Sequence, residues 1–534
     1  MRLCWLLVFG FCNSSVSRAA NCEGLASLSL PNTTITLAKS IPAGIFTPPS
    51  GRAIDDLPAF CEVHGILKPT DVSVIHFEVW LPASNWNGRL EGVGNGGLAG
   101  TISFGPMAAA LRKRFATAST DTGHTAEEPR SWLQNNERLI DYSYRSLHLT
   151  TVAAKAIINA YYGQAPEYSY YLGCSTGGKQ GLMEAQRFPA DYDGIVAGDA
   201  ANFWTHQMMS EVWNGVVTGT PETNLPQEKL ALVQNAVMAA CDALDGAVDG
   251  LVSDPMRCHF DPKKLQCKGD DSSSCLTAAQ VSAIDKIYGG PVNPRTGQKL
   301  YPGLYPGGEL GWGKAGGQMV INRTGTSGVS SNDFWSYALF NRAGLNRADW
   351  QFRNFDFDRD IALADEKLAP ITNATDPNLE EFRKLGHKLI YYHGAADPLI
   401  PAQNGIDYYE GVVTAEKGLE RTQGFFRAFL VPGLYHCAGG PGATAFGSSL
   451  PPPASQMDAD HDVVSAVARW VEKGVAPDRI IATKYADNSP AKGVAFQRPL
   501  LRLSAGGALQ RVGRYERRRQ LRVRQTMIRD RFQG

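Results

Sequence analysis

Hydrophobic and polar positions along the chain follow two rhythms. Val72 to Leu81 (Val-Ser-Val-Ile-His-Phe-Glu-Val-Trp-Leu) is β-branched and aromatic and ends at Pro82, which predicts a strand. Leu90 to Val93 predicts another short strand, running into Gly94-Asn95-Gly96-Gly97. Tyr142 to Tyr162 brings Leu147, Val152, Ala156, Ile157 and Tyr161 round at helical spacing and stops at Gly163, which predicts a helix. Strands are expected at Tyr168 to Leu172, Ile195 to Ala197, Lys388 to Tyr392 and Arg427 to Val431, and a helix over Thr176 to Arg187, halted before Pro189. Short strands alternating with helices imply an α/β fold with a mostly parallel sheet. From about Phe203 to Leu385 the rhythm lapses into Gly, Asn, Asp and Trp, with four cysteines and few strand signals. The pattern therefore predicts a core in two parts, residues 20–202 and 386–500, with 203–385 inserted as a cap over the site.

Composition narrows the function classes. At 534 residues the chain exceeds one typical domain, in keeping with a large core carrying an insertion. With 10% aromatic and 19% charged residues it is neither disordered nor a coiled coil. Its 52 Lys plus Arg balance 52 Asp plus Glu, so nothing supports a nucleic-acid partner. No apolar run reaches the roughly 18 to 20 residues that span a bilayer, so no membrane insertion is expected. Met1-Arg2, an apolar run from Leu3 to Cys12 and Ser17-Arg18-Ala19-Ala20 describe a secretory signal peptide over residues 1–19, hence an extracellular protein. Its removal leaves Cys22, Cys61, Cys174, Cys241, Cys258, Cys267, Cys275 and Cys437. An even number in an exported chain without Cys-x-x-Cys favours disulfides over zinc, although eight cysteines allow 105 pairings. Sequons at Asn32, Asn322 and Asn373 permit glycosylation.

The chemistry concentrates at Gly173-Cys174-Ser175-Thr176-Gly177, which follows a predicted strand and opens a predicted helix. In that context Gly-x-Ser-x-Gly marks a nucleophile elbow; outside it, the same residues are a glycine-rich turn with a surface serine. A serine hydroxyl needs a base and an orienting acid, in the chain order Ser, acid, His. Asp397, after the strand ending at Tyr392, fits the acid, and His436, after the strand ending at Val431, fits the base. His393 and Asp407 are rivals near the same loop; His393 sits directly at a strand end, which suits a structural role. Asp199 also follows a strand but comes before the insertion, too early for the usual acid. Cys174 precedes Ser175 and Cys437 follows His436, so a disulfide joining them would hold nucleophile and base together. The N–H of Thr176 and those of Gly96 and Gly97 are the expected oxyanion donors.

Four segments together resemble the tannase and feruloyl esterase family: Gly-Cys-Ser-Thr-Gly-Gly-Lys-Gln-Gly at 173–181, His-Gly-Ala-Ala-Asp-Pro at 393–398, Val-Pro-Gly-Leu-Tyr-His-Cys at 431–437 and Gly-Asn-Gly-Gly at 94–97. The resemblance runs from about residue 22 to 500. It implies an α/β-hydrolase core with a lid domain, and a secreted serine esterase that cleaves esters of phenolic acids, ferulate or a related hydroxycinnamate on plant cell-wall polysaccharide. Gallate esters are the alternative within the family. A serine peptidase of the same fold and a non-catalytic calcium-dependent binding protein are the readings outside it. In Cys241-Asp-Ala-Leu-Asp-Gly-Ala-Val-Asp-Gly-Leu251 three carboxylates recur at i, i+3 and i+7, and hard oxygen donors suit calcium, though consecutive solvated turns give the same pattern. The resemblance implies structural Ca2+ held by Asp242, Asp245 and Asp249 with the carbonyls of Ala247 and Leu251. It also implies the pairs Cys22–Cys61, Cys241–Cys258 and Cys267–Cys275; ion and disulfides would stiffen a lid expected to have little core of its own.

The family's usual Cys-Pro-Tyr-Pro-like segment is missing after Arg498-Pro499-Leu500, and residues 501–534 form an atypical Arg-rich tail. Either a shifted reading frame or a basic tail for acidic polysaccharide accounts for it. Residues 511–534 hold nine Arg against Glu516 and Asp530, a charge of +7. With Arg2 and Arg18 in the leader, that leaves −9 on residues 20–510.

Overall fold

The computed structural model describes residues 21–313, 329–341, 343–345 and 350–504. The expected signal peptide over residues 1–19, the sequon at Asn322 and the tail beyond Ser504 lie outside them. A ten-stranded sheet runs through the core. Its strands are β1 (Thr33–Ile41), β2 (Phe60–Leu67), β3 (Ile75–Pro82), β4 (Arg89–Val93), β5 (Ala116–Thr120), β6 (Tyr168–Cys174), β7 (Gly194–Gly198), β8 (Lys388–Gly394), β9 (Phe426–Val431) and β10 (Leu501–Arg502). Their spatial order is β1-β2-β3-β5-β4-β6-β7-β8-β9-β10. The run from β5 to β9 is parallel. The expected parallel run fills the centre of the sheet, and both edges are antiparallel. β1, β2, β3 and β5 pair antiparallel, and so do β9 and β10. The short link from Leu67 to Ile75 allows this, because a hairpin needs no crossover helix. Strands β1, β2 and β5 gave no clear period in the sequence.

Side chains alternate across the central strands and divide the core in two. Tyr171, Ile195, Leu389 and Tyr391 face one side, under α3 (Thr176–Arg187), where Leu182 and Met183 are buried. Tyr170, Val196, Ile390 and Phe429 face the other, against Val464, Val467 and Trp470. These three belong to a helix labelled α9 (Val463–Lys473) in chain order, after α1 (Phe104–Arg112), α2 (Ser146–Tyr162), α3 and those below. α2 ends on Gly163 as predicted, at φ +75°, and begins later than predicted because Asp141–Arg145 form a wider π-helical turn.

The insertion is helical: α4 (Trp204–Thr218), α5 (Gln227–Cys241), α6 (Ala278–Gly289) and α7 (Arg359–Lys367), before α8 (Ala402–Ala415) returns to the core. The expectation that it has little core of its own does not hold. Leu230, Val233 and Val237 of α5 meet Val281, Ile284 and Ile287 of α6 around Trp312, all buried. A second cluster joins lid to core: Trp204, Phe334, Trp335 and Phe355 pack with Leu98, Trp132, Tyr142 and Ile400. Polar loops between these helices dilute the average hydropathy, which conceals the helical spacing within them. The sequon at Asn32 is exposed. The Asn373 side chain is buried and donates 3.0 Å to Thr205 Oγ1 while accepting from Thr205 N–H, so it offers no position for a glycan.

Candidate active site

Parallel strands in register end at one edge, so the loops after β6, β7, β8 and β9 converge there. Cys174 is level with Gly198, and Gly394 with Val431. Ser175 turns the chain from β6 into α3 at φ +64°, ψ −122°, a conformation costly for a non-glycine residue. The turn closes only between small residues: a Cβ at Gly173 would stand 2.4 Å from the Gly177 carbonyl oxygen, and one at Gly177 2.9 Å from that of Asn95. The Ser175 N–H donates to Gly198 O across 2.9 Å, fixing the turn to the neighbouring strand.

The structure brings Ser175, His436 and Asp397 together. His436 Nε2 lies 2.8 Å from Ser175 Oγ, and Nδ1 lies 2.8 Å from Asp397 Oδ2. Asp397 Oδ1 accepts the N–H groups of Leu399 at 2.8 Å and Ile400 at 3.0 Å. Burial would raise the Asp397 carboxyl, yet the imidazoles of His436 and His393 hold it well below the ordinary aspartate range. For His436, burial opposes the imidazolium, but Asp397, with smaller help from Asp199 and Glu211, outweighs it and the ring's pKa is raised. Cys174 and Cys437 are bonded, with α-carbons 5.9 Å apart, so the expected tie between nucleophile and base loops is present. So are Cys22–Cys61, Cys241–Cys258 and Cys267–Cys275.

The loop at Gly94–Gly97 is held at the same edge. Asn95 Nδ2 donates to the carbonyls of Thr101 and Thr120, and Asn95 N–H donates to Gln180 Oε1. Tyr142 Oη and Thr176 Oγ1 each donate to Gly97 O across 2.8 Å. Gly96, Gly97, Ser175, Thr176 and His436 line a cavity of about 1630 Å³, and so do Trp204, Gln207, Met208 and Glu211 of α4. Burial pushes the Glu211 carboxyl up to about 7. Burial pushes Lys179 down to about 7; its Nζ lies over the rings of Trp204 (4.5 Å) and Tyr142 (4.7 Å). Sequence reasoning missed both residues. The available signals were Gln207 and Glu211 at i, i+4 in an apolar helix, and a lysine within the Gly-Gly-Lys of the elbow.

None of the rivals takes the place of Asp397 or His436 in the relay. His393 Nε2 is 3.0 Å from Ile400 O and its Nδ1 is 2.6 Å from Tyr391 Oη, bonds that engage both ring nitrogens. Asp407 lies on α8 and accepts from Gln403 Nε2. Asp199 is fully buried beside the base loop.

In the acidic loop, Asp242 accepts the N–H groups of Asp249 (3.0 Å) and Gly250 (2.9 Å), Asp245 accepts that of Ala247 (2.8 Å), and Asp249 pairs with Arg498 at 3.3 Å. Left-handed Gly246 and Gly250 (φ +90° and +78°) curl this backbone, and Cys241–Cys258 closes it. The three carboxylates are not drawn into one cluster here. Their chemistry, hard carboxylate and carbonyl oxygens on a curled backbone, fits a calcium ion.

A serine on a strained strand–helix turn, at the carboxyl edge of a largely parallel sheet and beneath a helical lid, defines the protein's class as an α/β-hydrolase-type enzyme. The chain belongs to the tannase and feruloyl esterase family, whose model matches residues 61–510, and is therefore a carboxylic ester hydrolase. It is 41% identical over 518 residues to an uncharacterized esterase of Xanthomonas campestris, covering 93% of this chain and 89% of that one. It is 35% identical over 445 residues to a probable feruloyl esterase B-2 of Aspergillus flavus, covering 82% of each. The crystal structure of feruloyl esterase B from Aspergillus oryzae superposes with a TM-score of 0.82 at 30% identity, over 90% of this chain and 95% of that one.

Proposed function

We propose that the protein is a secreted serine esterase that releases ferulate or a related hydroxycinnamate from plant cell-wall polysaccharide through an acyl-enzyme on Ser175. The observation that carries this reading is the hydrogen-bonded relay from Ser175 through His436 to Asp397, opening into a cavity walled by aromatic and polar lid residues. Ser175 Oγ attacks the ester carbonyl while His436 Nε2 takes its proton. Asp397, held ionised, orients the ring and stabilises the imidazolium. The N–H groups of Thr176, Gly96 and Gly97 receive the oxyanion, and the imidazolium then protonates the leaving alcohol. Water, deprotonated by His436, attacks the acyl-enzyme and frees the phenolic acid. The related feruloyl esterases support the acyl preference. Methyl ferulate and methyl p-coumarate are expected to give kcat/KM at least ~10-fold above methyl gallate, a ratio within what pocket contacts supply. The reverse order would make the enzyme a tannase.

For the lid we propose structural calcium, held by Asp242, Asp245 and Asp249 with the carbonyls of Ala247 and Leu251. Bound there, the ion would neutralise three neighbouring carboxylates and fix the loop against Arg498. Calcium binding the folded protein alone would stabilise it by mass action, about 2.7 kcal/mol at 100 times Kd. A chelator is therefore expected to lower Tm by several degrees and excess calcium to restore it. An Asp245→Asn variant should lose the response; an unchanged wild-type Tm would overturn the assignment.

A further inference from the structure

Three loops must hold station for the relay: those of the nucleophile, the acid and the base. The disulfide joins nucleophile to base, and the N–H groups of Ala395 and Ala396 join the acid loop to the start of the base loop through Val431 O (2.9 Å) and Leu434 O (3.2 Å). Asp199, at the end of β7, adds a side-chain tie closer to His436 itself. Its Oδ2 accepts the N–H of Cys437, the residue after His436, across 2.8 Å. Its Oδ1 accepts the N–H of Gly394, which opens the turn to Asp397, across 2.6 Å. Its own N–H donates to Tyr392 O at 2.9 Å, and its predecessor Gly198 receives the Ser175 N–H. These bonds hold Asp199 at φ +38°, a left-handed conformation that a non-glycine residue adopts at a cost of order 1–3 kcal/mol.

We propose that Asp199 is a positioning residue for His436: its carboxylate fastens the base loop to the acid loop and sets a second negative charge beside the imidazole. This rests on the reading of His436 as the base. One carboxylate oxygen each of Asp199 and Asp397 and one ring nitrogen of His436 lie within 4.8 Å of one another, so the ring has two carboxylates near it rather than one. His393 Nε2 lies between them, 3.6 Å from Asp397 Oδ2 and 3.8 Å from Asp199 Oδ1. The charged or titratable groups acting on His436 are Asp397, Asp199 and, from the lid, Glu211. Those acting on Asp199 are His393, Asp397 and His436. Burial lifts the Asp199 carboxyl to about 6, so it carries its charge above that pH. A charged Asp199 favours the imidazolium, so its removal lowers the pKa of His436.

Asp199→Asn removes the charge and leaves one carbonyl oxygen for two N–H donors. With p-nitrophenyl acetate as substrate, the acid limb of kcat/KM, which reports the free enzyme's base, is expected to move down by about one pH unit. We expect kcat at pH 8 to fall about 10-fold with KM within twofold. A limb that superposes on wild type would overturn the proposal, whatever happens to Tm. The acetyl ester carries no phenolic acid, so a wrong acyl preference shows up separately, as a wild type that cleaves it but not methyl ferulate. If Asp199→Asn does not fold, Asp397→Asn decides. With Asp199 still charged, the pH midpoint of its labelling by a fluorophosphonate should stay at or above about 6.5, the ordinary histidine value. A midpoint below that would overturn the second charge.

Discussion

Ser175→Ala is expected to abolish hydrolysis of methyl ferulate and methyl gallate, lowering kcat by about 10⁴ to 10⁶, because removing the nucleophile disables the whole relay. What remains should be the modest acceleration that oxyanion donors and binding give to direct attack by water. The substitution deletes one oxygen at a position whose strained backbone is fixed by its neighbours, so Tm should stay within about 2 °C of wild type. Reaction with a fluorophosphonate, which requires the serine oxygen, should vanish with the activity. Retained turnover of both esters would place the chemistry on another residue and remove the basis of the proposed function.

Replacing both Cys174 and Cys437 with serine is expected to have the second largest effect, because this bond acts on stability and on geometry. It spans a sequence separation of 263, for which the chain-entropy model gives about 5.5 kcal/mol. It also sets the separation of the residues next to nucleophile and base, and a misplacement near 1 Å at reacting groups costs about 10²-fold in rate. Lower Tm together with kcat reduced about 100-fold is the expected result. Replacing Cys267 and Cys275, separated by 8, serves as the control. The same model gives about 2.5 kcal/mol there, and kcat should not change, since that loop lies in the lid away from the relay. Equal kcat in the two double variants would show that the active-site disulfide only stabilises.

Much of the architecture was legible because it rests on local rules. The helix over Thr176–Arg187 was bounded by the elbow and by Pro189, and the structure has the same limits. The central parallel strands were legible as apolar runs because both of their faces are covered. Of the antiparallel edge only β3 was legible; β1 has one exposed side and its residues carry a weaker signal. The lid's core was hidden for another reason: its apolar positions are spread over separate helices that meet only after folding.

The site divides along the same line. Sequence by itself determined the turn at Ser175, the three residues Ser175, Asp397 and His436 that the fold brings together, the cysteines flanking two of them and the acidic loop. These are adjacencies or motifs, and each follows from what a short stretch of backbone can do. Tertiary structure decided which of the polar residues after the strands touch His436. Asp199, His393 and Asp397 all sit at strand ends, and nothing in their local sequence separates a carboxylate that bonds the ring from one that bonds the backbone beside it. That distinction is a matter of a few ångströms between strands far apart in the chain, and only the register of the packed sheet fixes it.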